Sequence, residues 1–325
     1  TVVVTSQMQS GATKLATPDI ETPQSVSIVT REQFEEQGAT SVRQAVSYTP
    51  GVYSNQIGAS NRFDYIVLRG FSDGSLDNVY LDGLKMMGDT NSHSSLVVDP
   101  WFLENIEVVR GPASAQYGGD GMAGVVNFVT HDPSDFLKAA DGSSKTMGGR
   151  IATAWSEEDH STSLTGTVAA QAGEQVQWML TASGRQGHAM QTMGTDGAAN
   201  SNRTKADPLD TNDQAVLGKL VWKPNGLQRH TFTVEHSRKK LDADLLSSRI
   251  ATPSKPNDVV NEFTTSTIER NRLAWDGRFG LHTAWADHVR AIVSVQHAQS
   301  HRLGQSFLNS GVHRVRDNRY EEQTW

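Results

Sequence analysis

The chain has 325 residues, with 29 Lys and Arg against 36 Asp and Glu, and its formal net charge is −7. This acidic balance argues against general nucleic-acid binding, because that function needs a basic face to meet phosphate. Cysteine is absent, which excludes disulfides, thiolate metal sites and cysteine nucleophiles. The length predicts about two domains of ~150 residues each.

Apolar runs are too short for a transmembrane helix, which needs ~20 residues. The longest candidate, Ser95 to Leu103, is interrupted by Asp99 and Pro100. A β-barrel membrane protein is compatible with this hydropathy, since a barrel strand is apolar on only one face. No basic and then apolar leader follows Thr1, so we expect the sequence to begin on a mature or trimmed chain.

The first part of the chain has the pattern of a compact α/β domain. Thr30 to Gln33 fits a capping box that opens a short helix, and Gly38 can close that helix. Ser41 to Gln44 opens a second helix in the same way, and Asp99 before Pro100 opens a third that continues to residue 104. Short strand-like runs lie at Ser25–Val29, Tyr65–Leu68, Asn78–Leu81, Ile106–Val109 and Val125–Thr130.

From residue 148 to residue 325, apolar and polar residues alternate, which is typical of β-strands. The clear runs are Ile151–Trp155, Leu164–Ala170, Val176–Ser183, Val216–Trp222, Thr231–His236 and Ala291–Gln296. Two less regular strands lie within Thr265–Phe279 and after Val312. The pattern predicts about eight strands, each near the ~10 residues expected of a tilted barrel strand.

The connections between these strands alternate in length. Short turns fall at Ala172–Glu174, Pro224–Gly226 and Trp285–Asp287, and longer polar loops fall at Gly184–Asp213, Lys239–Glu262 and Ser300–Val312. Outer-membrane barrels show this alternation, because their periplasmic turns are short and their extracellular loops are longer. A soluble antiparallel sandwich is the alternative. Trp155, Trp178 and Trp222 are placed for an interfacial aromatic girdle, with core packing as the other interpretation.

Short motifs recur along the first domain, at Pro23–Ser27, Tyr48–Val52, Leu68–Phe71, Tyr80–Gly83, Asp99–Pro100, Ile106–Pro112, Tyr117–Gly118 and Gly124–Thr130. In their order and spacing, these segments resemble those of TonB-dependent outer-membrane receptors. The run Thr1, Val2, Val3, Val4 and Thr5 is similar to the family's TonB box, which adds as a strand to the protein TonB. A flexible β-branched run suits such main-chain pairing, although an ordinary edge strand would have the same composition.

The resemblance implies an architecture and a function. Residues 1–10 would be the TonB box and linker, 11–140 a mixed α/β plug domain, and 148–325 the first ~8 antiparallel transmembrane strands of a barrel. An eight-stranded barrel is filled by its own side chains, whereas plugged lumens belong to barrels of about 22 strands. We therefore interpret the chain as the N-terminal part of a 22-stranded plugged barrel. The alternative is a small barrel with the first domain outside it.

The family's activity is energised uptake, so we expect no enzyme, no intrinsic cofactor and no nucleic-acid partner. The resemblance implies a location in the outer membrane of a Gram-negative bacterium, a monomer, and contact with lipid and lipopolysaccharide. TonB, with ExbB and ExbD, would supply the energy through Thr1 to Thr5. A binding or signal-transducing receptor without a transport role of its own is the alternative function.

Two arginines correspond to residues that fix the plug to the barrel wall in the family. They are Arg69 and Arg110, and the resemblance implies that each would bind carboxylates of the barrel. A buried guanidinium needs such a bidentate partner. Ordinary surface arginines are the alternative.

From Glu21 to about Leu103 the chain is most similar to receptors for ferric hydroxamate siderophores such as ferrichrome and ferrioxamine. The apical Arg and Tyr of the ferrichrome receptor correspond here to Ile57 and Asn91. Gly74 is retained, and Ser75 replaces a glutamine. These departures argue against ferrichrome itself. The predicted ligand-binding residues at the plug apex are Ile57, Arg62, Gly74, Ser75, Asn91 and His93.

From about Ile106 onward the resemblance shifts toward haem and haemoglobin receptors. Val125–Phe136, Asn202–Lys205 with Pro208, Leu245–Arg249 and Asp317–Glu321 carry it. Haem receptors offer an apical plug histidine to the iron, and His93 lies about one residue from that position. Imidazole is a suitable axial ligand for haem iron. The alternative is that His93 is an ordinary loop histidine in contact with solvent. The predicted cargo therefore stays open between haem and a ferric siderophore.

Overall fold

The computed structural model describes residues 25–57, 63–68, 79–86, 98–111, 113, 124–139, 141–281, 283 and 286–324. They fall into two compact units. The first takes in the described residues up to Gln56 and from Phe63 to His131, and the second takes in Ile57 and the described residues from Asp132 onward. No helix among these residues is both long and apolar enough to cross a membrane. The predicted domain limits of 1–10, 11–140 and 148–325 remain predictions.

The first unit contains a five-stranded sheet in the order β1-β6-β7-β4-β5. Its strands are β1 Ser25–Thr30, β4 Val79–Leu81, β5 Leu84–Lys85, β6 Leu103–Arg110 and β7 Gly124–Thr130, and a separate pair comprises β2 Val52–Ile57 and β3 Phe63–Leu68. Within the sheet only β4 and β7 pair in parallel. Apolar side chains from the helices and strands form its core, including Phe34, Val46, Leu68, Leu81, Ile106 and Phe128. This unit therefore has a hydrophobic core of its own. Each fully buried apolar side chain in it contributes ~1.5–3 kcal/mol to the free energy of unfolding.

Two short helices follow β1, and both begin where the sequence predicts. α1 Arg31–Glu36 has the predicted capping box between Thr30 and Gln33, and Gly38 follows it with a φ of 64°. α2 Val42–Val46 is capped by the Ser41 hydroxyl, which accepts from the Gln44 N–H. The Gln44 side-chain oxygen accepts from the Thr40 N–H at 2.7 Å. The cap of α2 therefore also includes the residue that precedes the N-cap.

Two other helical turns differ from the prediction. Asp99 and Pro100 open only a 3-10 turn, Pro100–Phe102, because Leu103 already pairs with Thr130 in the sheet. α3 Pro133–Phe136, at the start of the second unit, was not predicted. It has a capping box of its own between Asp132 and Asp135, which is the same signal that identified α1.

The second unit is built on eight antiparallel strands that pair in sequence order, from β8 to β15. They are β8 Met147–Ser156, β9 Ser161–Ala172, β10 Val176–His188, β11 Leu209–Asn225, β12 Gln228–Asp244, β13 Val259–Gly280, β14 His288–Leu308 and β15 His313–Thr324. The predicted succession of strands is thereby confirmed. A total of 22 strands in the whole protein remains a prediction.

Several strands are longer than the ~10 residues expected of a barrel strand. β13 has 22 residues and β14 has 21. The predicted long loop at Ser300–Val312 is therefore wrong, because β14 continues to Leu308 and pairs there with β13. Hydrophobic alternation ends near Gln296, but main-chain pairing needs no apolar side chains and continues beyond it.

Side chains alternate across the sheet and define two faces. The outer face carries exposed apolar residues such as Ile151, Leu180 and Val234, whereas the inner face carries buried ones such as Met179 and Leu217. The two ends also differ. The turn end has the connections 173–175 and 226–227, and the loop end has 189–208, 245–258 and 309–312.

Candidate functional site

Most residues predicted to bind TonB, cargo or the barrel wall lie outside the part of the chain that the structure describes. They are Thr1, Val2, Val3, Val4, Thr5, Arg62, Arg69, Gly74, Ser75, Asn91 and His93. Ile57 ends β2, and only its backbone is described. Ligation of haem iron by His93 and the grouping of the apex residues accordingly stay predictions. Arg110 is described in full.

Arg110, at the end of β6, connects three segments of the first unit. Its two terminal nitrogens donate to the Pro50 carbonyl at 2.8 Å and to the Ser27 hydroxyl at 2.7 Å. The guanidinium therefore connects the turn at Pro50 to β1 and β6. Neither of these two acceptors is a carboxylate, so the plug-barrel lock of Arg69 and Arg110 remains a prediction.

The Tyr80–Gly83 motif forms the turn between β4 and β5. Asp82 has a φ of 54° and Gly83 of 83°, which matches the Asp-Gly signature of a tight hairpin. The Asp82 carboxylate accepts from the Thr130 N–H and hydroxyl, each at 2.9 Å. The Gly83 N–H donates to the Asn127 side chain at 2.9 Å. This motif thus holds the hairpin against β7.

A buried polar pair extends this contact into the sheet. Asn127 donates from Nδ2 to Glu107 Oε2 at 2.9 Å, and the two residues face each other across β6 and β7. Both are almost fully buried. Because buried polar groups without partners are costly, this pair specifies the register of the two strands.

His131 is the buried histidine of the first unit, with 1% of its surface exposed. Its Nδ1 lies 2.8 Å from Glu104 Oε2, and the Arg31 guanidinium lies 3.4 Å from the same oxygen. Glu104 therefore joins the end of β7 to α1. The sequence did not identify this cluster, because its members are separated by 73 residues between Arg31 and Glu104.

The inner face of the sheet contains a buried ionic cluster. Glu235 of β12 binds both Arg270 and Arg272 of β13, with 2.9 Å between Glu235 Oε2 and Arg272 Nε. All three are at most 5% exposed. A single buried carboxylate therefore binds two buried guanidinium groups, and its loss would remove a counterion that both share.

Two connections at the loop end are joined by a buried aspartate. Asp207 of 189–208 accepts from the Ser247 N–H at 2.9 Å and from the Ser247 hydroxyl at 2.6 Å. Arg203 lies 3.2 Å from the same carboxylate, and it also donates to the carbonyls of Gly197 and Ala206. We call this arrangement the loop brace. It makes 189–208 and 245–258 a single structural element.

The outer face bears aromatic side chains at both ends of its apolar region. Trp178 and Trp222 lie near the turn end, and Trp155 lies near the loop end of β8. All three are exposed, so the alternative of core packing is wrong. His230 stacks between Trp222 and Trp275, with ring centroids 5.2 and 6.0 Å apart. Aromatic residues at these positions are typical of membrane interfaces.

Comparison with known families identifies the first unit. Residues 18–125 match the TonB-dependent receptor plug domain. This segment is a plug domain. It contains the Tyr80–Gly83 turn and the Arg110 contacts described above, and it ends two residues before Asn127, the partner of Glu107.

Curated relatives share this plug domain. The chain is 84% identical over 134 residues to the ferrioxamine B receptor of Salmonella typhimurium, which covers 41% of this chain and 19% of that protein. It is 40% identical over 132 residues to the ferrichrome outer membrane transporter/phage receptor of Escherichia coli, covering 40% and 17%. The chain thus spans about a fifth of the length of these relatives.

A third relative matches beyond the plug domain. The hemin receptor of Yersinia pestis is 25% identical over 269 residues, covering 82% of this chain and 36% of that protein. A match of 269 residues is longer than the first unit and extends into the eight-stranded sheet.

Solved structures show the same fold. The siderophore receptor PirA from Acinetobacter baumannii aligns with a TM-score of 0.62 at 18% identity, covering 92% of this chain and 43% of that chain. PiuA from the same organism aligns with a TM-score of 0.59 at 14% identity, covering 97% and 55%. At these identities the likeness concerns the fold alone: a plug domain followed by antiparallel barrel strands.

Two motifs attributed to haem receptors have a structural role in the second unit. Asn202–Lys205 contains Arg203, and Leu245–Arg249 contains Ser247, so both segments supply the loop brace. Their pattern therefore follows from the need to join two loops, and it does not by itself identify cargo.

The local sequence pattern identifies neither the Glu235 cluster nor the loop brace. Period-2 alternation assigns Glu235, Arg270 and Arg272 to the face opposite Val234 and Leu273, but it does not distinguish a buried polar face from a solvated one. The available signal was the concentration of charge at these inward positions, in strands whose other face is apolar.

Proposed function

We propose that this chain is the front part of an outer-membrane TonB-dependent receptor that takes up an iron chelate with energy supplied by TonB. The supporting observation is a plug domain followed directly by eight antiparallel strands with an apolar outer face. The named relatives include receptors for ferrioxamine and hemin and a transporter for ferrichrome, which supports an iron chelate as cargo. Haem and a ferric siderophore both fit these relatives.

The proposed cycle begins with cargo at the plug apex. Ile57, Arg62, Gly74, Ser75, Asn91 and His93 would contact it, together with the connections at the loop end. Coupling requires the cargo to bind two states of the plug domain with different affinities. Arg69 and Arg110 would hold the plug domain to the barrel in one of them.

Thr1 to Thr5 would then pair as a strand with TonB. Through this pairing TonB, together with ExbB and ExbD, would supply the energy for uptake. The apolar outer face would meet lipid, and the polar positions beyond it would meet lipopolysaccharide. No covalent bond is made or broken in this cycle, so it involves no catalytic residues and no resident cofactor.

The strand pairing can be tested in the full-length receptor by Val3→Pro. Proline removes the backbone N–H and cannot donate to a ladder, so we expect uptake of radiolabelled iron chelate to fall at least tenfold while surface binding persists. The matched control is Val3→Ile, which keeps a β-branched residue and should take up cargo as the parent does.

Unchanged uptake in Val3→Pro, or equal loss in both variants, would contradict pairing at this segment. Binding without any uptake in the parent receptor would instead favour a signal-transducing function.

A further inference from the structure

The strand β1 lies at one edge of the plug domain's sheet. In the order β1-β6-β7-β4-β5, β1 pairs only with β6 among the described strands, whereas β6, β7 and β4 each lie between two neighbours. It is also the described strand that comes first in the chain. A pull on the segment that precedes Ser25 therefore acts on β1 before it acts on any other described element.

The strand β1 contributes little to the core that its neighbours form. Val29 is its one buried residue, at 8% exposure. By contrast, Val108 and Val109 of β6 and Val125 and Val126 of β7 are completely buried. Because the free energy of burial scales with the apolar area removed from water, separating β1 from β6 costs less than separating β6 from β7. The core can therefore persist when β1 leaves.

One side chain fastens β1 at the end that a pull reaches first. Ser25 faces Arg110 across the ladder, and the Arg110 guanidinium donates to the Ser27 hydroxyl at 2.7 Å and to the Pro50 carbonyl at 2.8 Å. Hydrogen bonds from a charged donor are about twice as strong as neutral ones. We call these two contacts of Arg110 the β1 latch. It has to open before the ladder separates from this end.

The chain is held again directly after β1. Arg31, the first residue of α1, lies 3.4 Å from Glu104 of β6, and Glu104 also lies 2.8 Å from His131, which follows β7. Phe34 of α1 is 1% exposed and belongs to the core. Separation that begins at Ser25 therefore meets a second barrier after Thr30, where α1 is fixed by ionic contacts and by burial.

We propose that pulling by TonB detaches β1 from β6, and that Arg110 is the positioning residue that sets the resistance to this step. The inference rests on the proposed uptake function and names the two states of the plug domain that coupling requires. In one state β1 is paired with β6, and in the other it is released as far as Thr30. The six residue pairs from Ser25–Arg110 to Thr30–Asn105 separate, and β6, β7, β4 and β5 stay paired.

The test uses two disulfides in the full-length receptor that share one cysteine position. Val109 faces Val26 of β1 on one side and Val125 of β7 on the other, and this chain has no cysteine of its own. Facing residues of neighbouring strands have Cα atoms ~4.5–5.5 Å apart, which a disulfide can span. Val26→Cys/Val109→Cys should therefore fasten β1 to β6, and Val109→Cys/Val125→Cys should fasten β6 to β7.

Uptake of radiolabelled iron chelate is measured with each pair oxidised, and again after reduction by dithiothreitol and washing. The oxidised β1–β6 disulfide should lower uptake at least tenfold with surface binding unchanged, and reduction should restore uptake. The oxidised β6–β7 disulfide is the matched control and should take up cargo as the parent does. Full uptake with the oxidised β1–β6 disulfide, or equal loss with both, would overturn the release of β1 while leaving the uptake function intact. A parent receptor without uptake would overturn the proposed function as well.

The β1 latch is tested separately by the rate of cysteine labelling in the full-length receptor without cargo. Val29→Cys, buried in β1, should react with a maleimide only when β1 leaves β6. Adding Ser27→Ala removes one acceptor of Arg110 and should speed this labelling about tenfold, because a charge-assisted hydrogen bond is lost. The control is Ser47→Ala, which removes a hydroxyl that bonds the Gln44 carbonyl at the end of α2 and should leave the rate unchanged.

Labelling of Val125→Cys in β7 separates release of β1 from unfolding of the plug domain. Ser27→Ala should not change the rate at this position, because Val125 stays buried when only β1 leaves. An equal rise at both cysteine positions would show that the whole domain has loosened and would overturn the latch. An unchanged rate at Val29→Cys would overturn it too.

Discussion

The two faces of the eight-stranded sheet are made by the same strands but have opposite chemistry. On β12, Val234 points outward and is 59% exposed, whereas its neighbour Glu235 points inward and is 5% exposed. The exposed side chain is apolar and the buried one is charged, which reverses the arrangement of a soluble protein. A surface that meets lipid and an interior that is polar explain both positions.

The largest effect is expected where two buried guanidinium groups lose the carboxylate that binds both of them. Glu235→Gln would leave Arg270 and Arg272 without the carboxylate that they share, at a cost of ~3–5 kcal/mol in the free energy of unfolding. Guanidinium unfolding of the full-length receptor, followed by tryptophan fluorescence, measures it.

The matched outer-face control is Glu269→Gln, which removes the partner of Arg238 at 3.0 Å on a partly exposed pair. That change should cost only ~0–1 kcal/mol. Equal losses in the two variants would show that the faces do not differ in the way described.

A smaller effect is expected from a charge placed on the outer face. Val234→Arg should destabilise the receptor in a bilayer by ~2–4 kcal/mol, because arginine is costly near the membrane midplane. Val234→Leu keeps the side chain apolar and should be close to neutral. Tolerance of the arginine in lipid vesicles would argue that Val234 does not meet the hydrocarbon region.

The smallest effect concerns a partly exposed ion pair beside α3. Burial opposes ionisation of Asp132, but Arg229 and the hydrogen bonds from Ser134 outweigh it and hold the Asp132 pKa below its usual range. A lowered pKa stabilises the folded state above the unfolded value of ~3.9, and this contribution is lost as the pH falls through the folded pKa.

Asp132→Asn should therefore cost up to ~1 kcal/mol at neutral pH and nothing at low pH, where the parent has already lost the charge. Melting temperatures of parent and variant, compared at pH 7 and below pH 3, check this convergence. A gap that persists in acid would assign the effect to the helix cap instead.

Much of the fold could be predicted from the sequence, because its signals are local. The capping box of α1 and the alternation of β8 to β15 depend only on near neighbours. Strand ends were predicted less well: β14 extends twelve residues past Gln296, to Leu308, through pairing that polar side chains do not prevent. α3 was missed although Asp132 and Asp135 carry a readable cap.

The candidate site was harder to predict, because it depends on contacts between distant residues. Asp207 and Ser247 are 40 residues apart, and Glu235 and Arg272 are 37 apart. Nothing in the local pattern of either strand or loop shows such contacts. The apex residues such as His93 lie outside the described residues, so the sequence remains their only source.

The loop brace has a consequence for how this protein can vary at the cell surface. A substitution at Asp207 disturbs 245–258 as well as its own loop, so the two segments are constrained to change together. Met193, at 99% exposure, is free of that constraint. Sequence drift and engineered insertions such as epitope tags should therefore be tolerated beside Met193 and selected against beside Arg203, Asp207 and Ser247.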